Sequence, residues 1–253
     1  MRFLLSNDDG ILARGLAALE RAALPLGEVH VVAPDREQSA TSHSLTMHHP
    51  LRPVQIADNR WQVDGTPTDC VMLALEALLP ERPDFVLSGV NHGPNMGEDV
   101  LYSGTVAAAM EGLALGVPAI AFSFAGSVLR ADALLDDHVS TMERILRHLT
   151  TLPAFPEHTL FNVNIPPIAA EQVKGVRLTR LGRRAYSDSL TRMQDPWGRQ
   201  IFWIGGGSVD WRDSAPDSDF QTISDGYVSI TPLHLDLTHR DILDRAEQWW
   251  RPL

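Results

Sequence analysis

Residues 3–10 read Phe-Leu-Leu-Ser-Asn-Asp-Asp-Gly, a short apolar run that ends in two adjacent carboxylates. In a chain where apolar and amphipathic segments alternate, such a run is typical of a buried parallel strand. Open α/β sheets bind their ligands in the crevice at the carboxyl ends of the strands. Asp8 and Asp9 therefore stand where a functional site is expected, and a divalent cation with oxygen ligands relieves the repulsion between them.

The first two-thirds of the chain alternate apolar strands with amphipathic helices. This alternation predicts right-handed crossovers and a Rossmann-like α/β fold, in which a mostly parallel sheet carries helices on both faces. Two short extra strands are expected within residues 51–64. The main strands are expected near residues 2–6, 29–33, 84–88 and 118–124, and the helices near 15–24, 67–79, 105–115 and 131–149.

The pattern changes after Pro153. We predict one domain over residues 1–253, with a core at about 1–170 and a C-terminal extension at about 171–253. Residues 208–224 are polar and rich in turn formers, which predicts a mobile loop. The other elements expected here are strands at 160–165 and 227–231, a β-hairpin formed by 176–181 and 200–204, and a closing helix at 239–250.

The 253 residues include 32 Asp and Glu against 21 Lys and Arg, a formal net charge of −11. This balance argues against a stable complex with nucleic acid, because binding to its backbone needs clustered cations. The single cysteine, Cys70, forms no intrachain disulfide, which favours a cytoplasmic location. The amino-terminal residues lack the layout of a signal peptide and no apolar run reaches membrane-spanning length, so we expect no association with a membrane.

Two common nucleotide-binding signatures are absent from the sequence. The only lysine, Lys174, is far from any glycine-rich turn, whereas a Walker loop needs its lysine within the motif. The first strand-to-helix turn lacks the Gly-x-Gly-x-x-Gly pattern, and its two carboxylates would repel a pyrophosphate. A nucleotide-cofactor oxidoreductase is therefore a weaker alternative.

Four polar clusters follow predicted strands or open a predicted helix. The first three should converge at one sheet edge and offer two carboxylates, a hydroxyl and an amide oxygen, which suit a hard cation. The fourth places hydroxyls and backbone N–H groups at a helix start, which suits an oxyanion. A phosphate monoester would bridge the two sites. In chain order the clusters are residues 6–10, 34–42, 88–97 and 102–105.

Five long stretches, in order and spread over nearly the whole chain, resemble the stationary-phase survival protein family, SurE. The resemblance implies a metal-dependent acid phosphatase that acts on nucleoside 5′- and 3′-monophosphates. The stretches are LLSNDDG at 4–10, the VVAPDR to SLT segment at 31–46, GTPTDCV at 65–71, SGVNHGPNMGEDVLYSGTVAAAMEG at 88–112 and GYVSITPLHLDLT at 226–238.

The resemblance also implies roles for particular residues. Asp8 and Asp9 match catalytic residues of the family and, with two further residues, its metal ligands. One departure lies at Gln38-Ser39-Ala40, where the family commonly has Arg-Ser-Gly. The full set of implied metal ligands is Asp8, Asp9, Ser39 and Asn91, and that of implied phosphate contacts is Asn95, Ser103, Gly104 and Thr105.

We therefore expect a hydrolase that releases phosphate from nucleoside monophosphates with one divalent cation per subunit, Mg²⁺ or Mn²⁺. The nucleophile is open between a metal-bound water, deprotonated with help from Asp8 or Asp9, and Asp8 itself through an aspartyl-phosphate. A homodimer or homotetramer with exchanged C-terminal segments is expected from the resemblance and from apolar residues outside the core, such as Trp203. A non-catalytic metal- or nucleotide-binding regulator is the alternative function.

Several residues also have simple structural explanations. The acidic pair at 8–9 and the group at 103–105 can serve as turn or helix caps. The histidines at 43, 48, 49 and 92 lack the close spacing of a zinc site, so we expect them on the surface. Cys70 lies on an apolar helix and is expected to be packed rather than reactive.

Overall fold

The computed structural model describes residues 1–127, 133–186, 190–204, 209–211 and 215–246. Its strands, in chain order, are β1 Arg2–Ser6, β2 Glu28–Pro34, β3 Pro53–Ala57, β4 Arg60–Val63, β5 Phe85–His92, β6 Ala119–Phe124, β7 Thr159–Ile165, β8 Val176–Leu178, β9 Arg184–Tyr186, β10 Leu190–Gln194, β11 Gln200–Ile204, β12 Val209–Trp211 and β13 Val228–His234.

The α-helices of the described residues are of unequal length and lie mainly between the strands. They are α1 Arg14–Ala23, α2 Pro67–Leu73, α3 Gly104–Ala114, α4 Val139–Thr150, α5 Asp219–Ser224 and α6 Arg240–Ala246. Shorter 3₁₀ turns are Leu24–Leu26, Gly97–Leu101, Leu135–His138 and Ala170–Gln172, and Ala74–Leu78 forms a π-helical turn.

One sheet of nine strands organises the described residues, in the order β3-β4-β2-β1-β5-β6-β7-β13-β8. The pairs from β4 to β7 are parallel, while β3 on β4 and β13 on β7 are antiparallel. This arrangement confirms the predicted Rossmann-like α/β class. Because β2 lies on one side of β1 and β5 on the other, the strand order reverses at β1. Ligands of open α/β sheets bind at such a reversal.

Strand β1 is buried on both faces, which explains its unbroken apolar run. Successive side chains of a strand point to opposite faces. Phe3 and Leu5 therefore pack in one core layer with Leu16 and Leu146, whereas Leu4 packs in the other with Val106. Burial on both faces therefore fixes the end of β1, and with it the position of the following residues at the edge of the sheet.

Helix α2 begins where its sequence signals predict. The Thr66 hydroxyl accepts the Asp69 N–H at 3.2 Å, and the Asp69 carboxylate accepts the Thr66 N–H at 2.8 Å, which is a capping box. Pro67 occupies the first turn, where its missing N–H costs nothing. The predicted helix over 67–79 is divided into α2 and the π-helical turn Ala74–Leu78.

The predicted C-terminal β-hairpin is confirmed, but its predicted pairing of 176–181 with 200–204 is wrong. Strand β11 pairs instead with β10, and the connecting turn is closed by the Asp195 carboxylate, which accepts the Trp197 and Arg199 N–H groups, both at 2.9 Å. Gly198, with φ of +79°, supplies the left-handed residue of that turn. Strand β8 joins the main sheet beside β13 in parallel.

Three further expectations for the second half need adjustment. The helix expected over 131–149 consists, in its described part, mainly of the 3₁₀ turn Leu135–His138 followed by α4, and residues 131–132 lie outside the described residues. The segment 208–224, expected as a loop, contains β12 and α5. Of the helix expected over 239–250, Arg240–Ala246 is described, and the pair at 249–250 lies outside.

Candidate functional site

Asp8 lies at the centre of the site, two residues beyond the end of β1 and 5% exposed. Its Oδ1 accepts a hydrogen bond from the Thr105 hydroxyl in the first turn of α3. A Cβ at Gly104 would lie 2.7 Å from the Asp8 Cβ, so only glycine permits this approach. Ser103 caps the helix, because its hydroxyl accepts the Val106 N–H at 3.0 Å. The carboxylate and the helix N-terminus are therefore in direct contact.

The electrostatics of the acidic pair follow from burial. Burial raises the pKa of Asp8 from 3.8 to about 6; the Thr105 hydrogen bond opposes this rise and the neighbouring charge of Asp9 adds to it. The pKa of Asp9 is also raised by burial, with His92 lowering it and Glu37 raising it. Burial thus makes the charged form of both carboxyls more costly than at the surface, and a nearby positive charge would offset that cost.

Asp9 faces His92 at the end of β5, with 3.5 Å between Oδ2 of Asp9 and Nδ1 of the ring. The His92 side chain is 15% exposed, so the expectation of a surface histidine is wrong for this residue. Asp9 Oδ2 is buried and accepts no hydrogen bond from any described residue. The preceding residue, Asn91, donates its side-chain amide to the Gly93 carbonyl at 2.9 Å. Asp9 and the end of β5 therefore meet at the sheet reversal.

Ser39 lies on an exposed loop next to Asp8. The Gln38 N–H donates to the Asp8 carbonyl at 2.7 Å, which ties the loop to the end of β1. The Ser39 hydroxyl donates to Glu37 Oε1 at 2.6 Å. Ala40, with φ of +59°, adopts the left-handed conformation that favours glycine. The Gln-Ser-Ala departure noted in the sequence therefore falls on a conformation for which alanine is poorly suited.

The Ser39 loop is anchored further along by His43. Its ring Nε2 lies 2.7 Å from Oε2 of Glu111, a buried residue of α3. The Ser42 hydroxyl donates to the Leu101 carbonyl at 2.6 Å. His43 is exposed, as expected for a surface histidine. These contacts hold the Ser39 loop against α3 and the 3₁₀ turn before it.

Asn95 belongs to a buried polar cluster that the sequence analysis missed. Its N–H donates to Asn164 Oδ1 at 3.0 Å, and its carbonyl accepts from the Asn162 and Asn164 amides at 2.8 and 3.0 Å. Its own side-chain amide donates to the Ser123 hydroxyl at 2.8 Å. Asn162 and Asn164 alternate with apolar residues in β7. Polar residues on one face of an otherwise buried strand could have indicated this cluster, because buried polar groups need hydrogen-bond partners.

The donor set fits a hard divalent cation. Carboxylate, hydroxyl and amide oxygens are the ligands that Mg²⁺ and Mn²⁺ prefer. Among the described residues, no three His, Cys, Asp or Glu side chains come together as a metal centre. Asp9 Oδ2, which accepts no hydrogen bond from the described residues, is the kind of buried atom that a cation would satisfy.

Comparison with known proteins identifies the family. A family model described as "Survival protein SurE" matches residues 3–188. The chain belongs to the SurE family. This SurE chain is 73% identical over 251 residues to a protein of Gemmatimonas aurantiaca named "5′-nucleotidase SurE", with 99% of each chain covered. It is 48% identical to a Vibrio cholerae protein of the same name, over 98% of this chain and 97% of that one.

The structural comparison agrees with the sequence comparison. The crystal structure of the SurE protein from Aquifex aeolicus superimposes with a TM-score of 0.87 at 41% identity, covering 99% of this SurE chain and 100% of that one. No helix in the described parts of the chain combines the length and the apolar character needed to cross a membrane.

Proposed function

We propose that this SurE chain is a metal-dependent phosphomonoesterase that hydrolyses nucleoside 5′- and 3′-monophosphates to nucleoside and phosphate. Its relatives named "5′-nucleotidase SurE" support the reaction class. The observation that carries the proposal is the contact between the Asp8 carboxylate and the first turn of α3. The proposed cation ligand and the proposed anion-binding helix end are thereby adjacent, as a bridging phosphate would require.

We assign the cation to Asp8, Asp9, Ser39 and Asn91. A bound Mg²⁺ or Mn²⁺ would neutralise charge on the phosphate and polarise its phosphorus. The phosphate oxygens would be held by Asn95 and the 103–105 helix start, where backbone N–H groups and the helix dipole favour an anion. The Thr105 hydroxyl is engaged by Asp8, so Thr105 would serve the phosphate through its backbone and would orient the carboxylate with its side chain.

Asp8 is the proposed acceptor of the proton from an attacking water. Its buried carboxylate lies beside the proposed cation site, where an ionised oxygen could accept that proton. Thr105 engages Oδ1, which leaves Oδ2 as the atom proposed to face both the cation and the attacking water. Direct attack by Asp8 on phosphorus is the competing route, and acid-quench trapping of a phosphorylated aspartate would distinguish it.

Phosphate release from a panel of nucleoside 5′- and 3′-monophosphates tests the proposal. We expect release with Mn²⁺ or Mg²⁺, none after treatment with a chelator, and recovery on adding metal back. Asp9→Asn should be inactive yet folded, whereas Asp58→Asn, which changes an exposed carboxylate, should match the wild type. Full activity of the chelated protein, or binding of nucleotide without turnover, would contradict the proposal, and the second result would favour a regulatory binding protein.

We further propose a homodimer or homotetramer with exchanged C-terminal segments. The β10–β11 hairpin exposes several large apolar side chains, including Trp203 at 64% and Ile204 at 90%. Surfaces of this kind mark contacts between proteins. Light scattering at micromolar concentration should give a multiple of the 27.9 kDa chain mass. A monomeric mass would contradict the proposal, and Trp203→Glu should reduce the mass if the hairpin forms the contact.

We place the protein in the cytoplasm, without membrane or stable nucleic-acid partners. Cys70, the only cysteine, is a buried free thiol, and burial raises its pKa well above its usual range. A buried thiol of this kind suits a reducing compartment. Fractionation of cells that express the tagged protein checks the location.

A further inference from the structure

The Asp219 carboxylate, at the start of α5, is fully buried and bound by backbone N–H groups from separate parts of the chain. Its Oδ2 accepts the Gly97 N–H at 2.8 Å. Its Oδ1 accepts the Gly182 N–H at 2.8 Å and the Phe220 N–H at 2.9 Å. Burying a carboxylate is costly, and these N–H groups replace the water it loses. Asp219 therefore ties the segment at Gly97 to the C-terminal part of the chain.

Gly97 contacts α5 too closely to carry a side chain. A Cβ there would lie 2.8 Å from Cζ of Phe220 and 2.9 Å from the Gly182 carbonyl oxygen. The residue also has φ of +53°, which glycine adopts without strain. Both the hydrogen bond and the packing thus fix the Gly97 backbone against α5.

Asn95 lies two residues before Gly97 and is held by strands of the main sheet. Strand β7 binds its backbone through Asn162 and Asn164, and Ser123 of β6 binds its side chain. Between these two anchors only Met96 intervenes, and it is buried. The direction of the Asn95 side chain therefore depends on both anchors.

We propose that Asp219 is a positioning residue for Asn95 and, through it, for the bound phosphate; this rests on the proposed function, in which Asn95 contacts phosphate. Asp219 acts through the Gly97 backbone and does not touch the substrate. Asparagine at position 219 would present its NH₂ group either to the Gly97 N–H or to the Gly182 and Phe220 N–H groups, and in each case the link between Gly97 and the C-terminal part of the chain would be weakened. The Asn95 side chain would then lose its fixed direction, while the proposed metal ligands would be undisturbed.

The test compares Asp219→Asn with Asp217→Asn, the same change at an exposed aspartate two residues away. We would measure inhibition by inorganic phosphate, KM and kcat for a nucleoside monophosphate, and Mn²⁺ affinity by calorimetry without phosphate. For Asp219→Asn the inhibition constant of phosphate should rise about tenfold, the size expected for a weakened hydrogen bond to a charged group. Mn²⁺ affinity should stay within about twofold of the wild type, as should every value for Asp217→Asn.

A merely structural role would lower Tm and leave the phosphate inhibition constant of the folded protein unchanged, which would overturn the proposal. If Asp219→Asn does not fold, Gly97→Ala serves instead, since its Cβ presses the same segment away from α5 while the carboxylate stays intact. Wild-type phosphate affinity in Gly97→Ala, or failure of both variants to fold, would likewise overturn it. Absence of phosphate release by the wild type would be a failure of the proposed function itself, seen before any variant is compared.

Discussion

Replacing Asp8 with asparagine should stabilise the metal-free protein at neutral pH while abolishing phosphate release. Burial raises the pKa of Asp8 from 3.8 to about 6, although the Thr105 hydrogen bond opposes the rise. Asparagine keeps the shape of the side chain and an oxygen that accepts the Thr105 hydroxyl, but it carries no charge. The substitution therefore removes the cost of burying a carboxylate at the bottom of the site.

The magnitude follows from proton linkage. Between pH 3.8 and about 6 the folded protein holds a proton on Asp8 that the unfolded chain has released. Stability falls with rising pH wherever the folded state binds more protons, so the wild type loses stability across this window and the loss is complete above it. At about 1.4 kcal/mol per pKa unit, the loss is about 3 kcal/mol at pH 8. For a chain of this length it corresponds to about 6–12 °C in Tm.

Urea unfolding with EDTA at several pH values from 4 to 8 measures this effect. The stability of Asp8→Asn minus that of the wild type should grow by about 2–3 kcal/mol from pH 4 to pH 8, with most of the growth below pH 6.5. Carboxylates that do not interact with Asp8 titrate equally in both proteins and cancel in the difference. Asp58→Asn, at an exposed position, should give a flat difference. Parallel curves for Asp8→Asn and the wild type would refute the account of Asp8 as a costly buried charge.

Three further substitutions probe the same site. Gly104→Ala would place a Cβ 2.7 Å from the Asp8 Cβ, so calorimetry should show Mn²⁺ affinity reduced about tenfold or more; unchanged affinity would contradict the contact. Thr105→Val removes a hydrogen bond worth about 1.5–3 kcal/mol to the Asp8 carboxylate. The pH below which Mn²⁺ affinity is lost should therefore rise. An unchanged pH dependence of Mn²⁺ affinity would count against this role. Ala40→Gly relieves the left-handed backbone at φ of +59° and should stabilise the protein by about 0.5–1 kcal/mol in urea unfolding, whereas a loss of stability would show that no strain is present.

The sequence was sufficient for the features that depend on local pattern. The apolar run before Asp8 predicted a buried strand, and the helix predicted from residue 67 begins there as α2. The parallel class followed from strand–helix alternation and was confirmed by the sheet order. Such features are set by neighbours within a few positions of the chain, so a single sequence carries them.

Pairings between distant segments were not accessible in this way. Asn95 is bonded to Asn164, 69 positions away, and Gly97 to Asp219, 122 positions away. A buried polar residue needs a hydrogen-bond partner, but the neighbouring sequence does not indicate which residue that partner is. The partner of β11 was predicted wrongly for a similar reason. The turn around Asp195 sets the pairing of β11 with β10, and that turn was not recognised in the sequence.

Asn95 and Gly97 are bonded to residues much later in the chain, and this has a consequence for biosynthesis. All proposed ligands lie within the first 105 residues, yet Asn162, Asn164 and Asp219 leave the ribosome much later. At about 5–20 residues per second, roughly 10 s separate translation of Asn95 from that of Asp219. A nascent chain therefore carries the cation ligands well before its phosphate subsite is held in place. Hydrolytic competence would arrive only as synthesis nears its end, so incomplete chains would not release phosphate from cellular nucleotides.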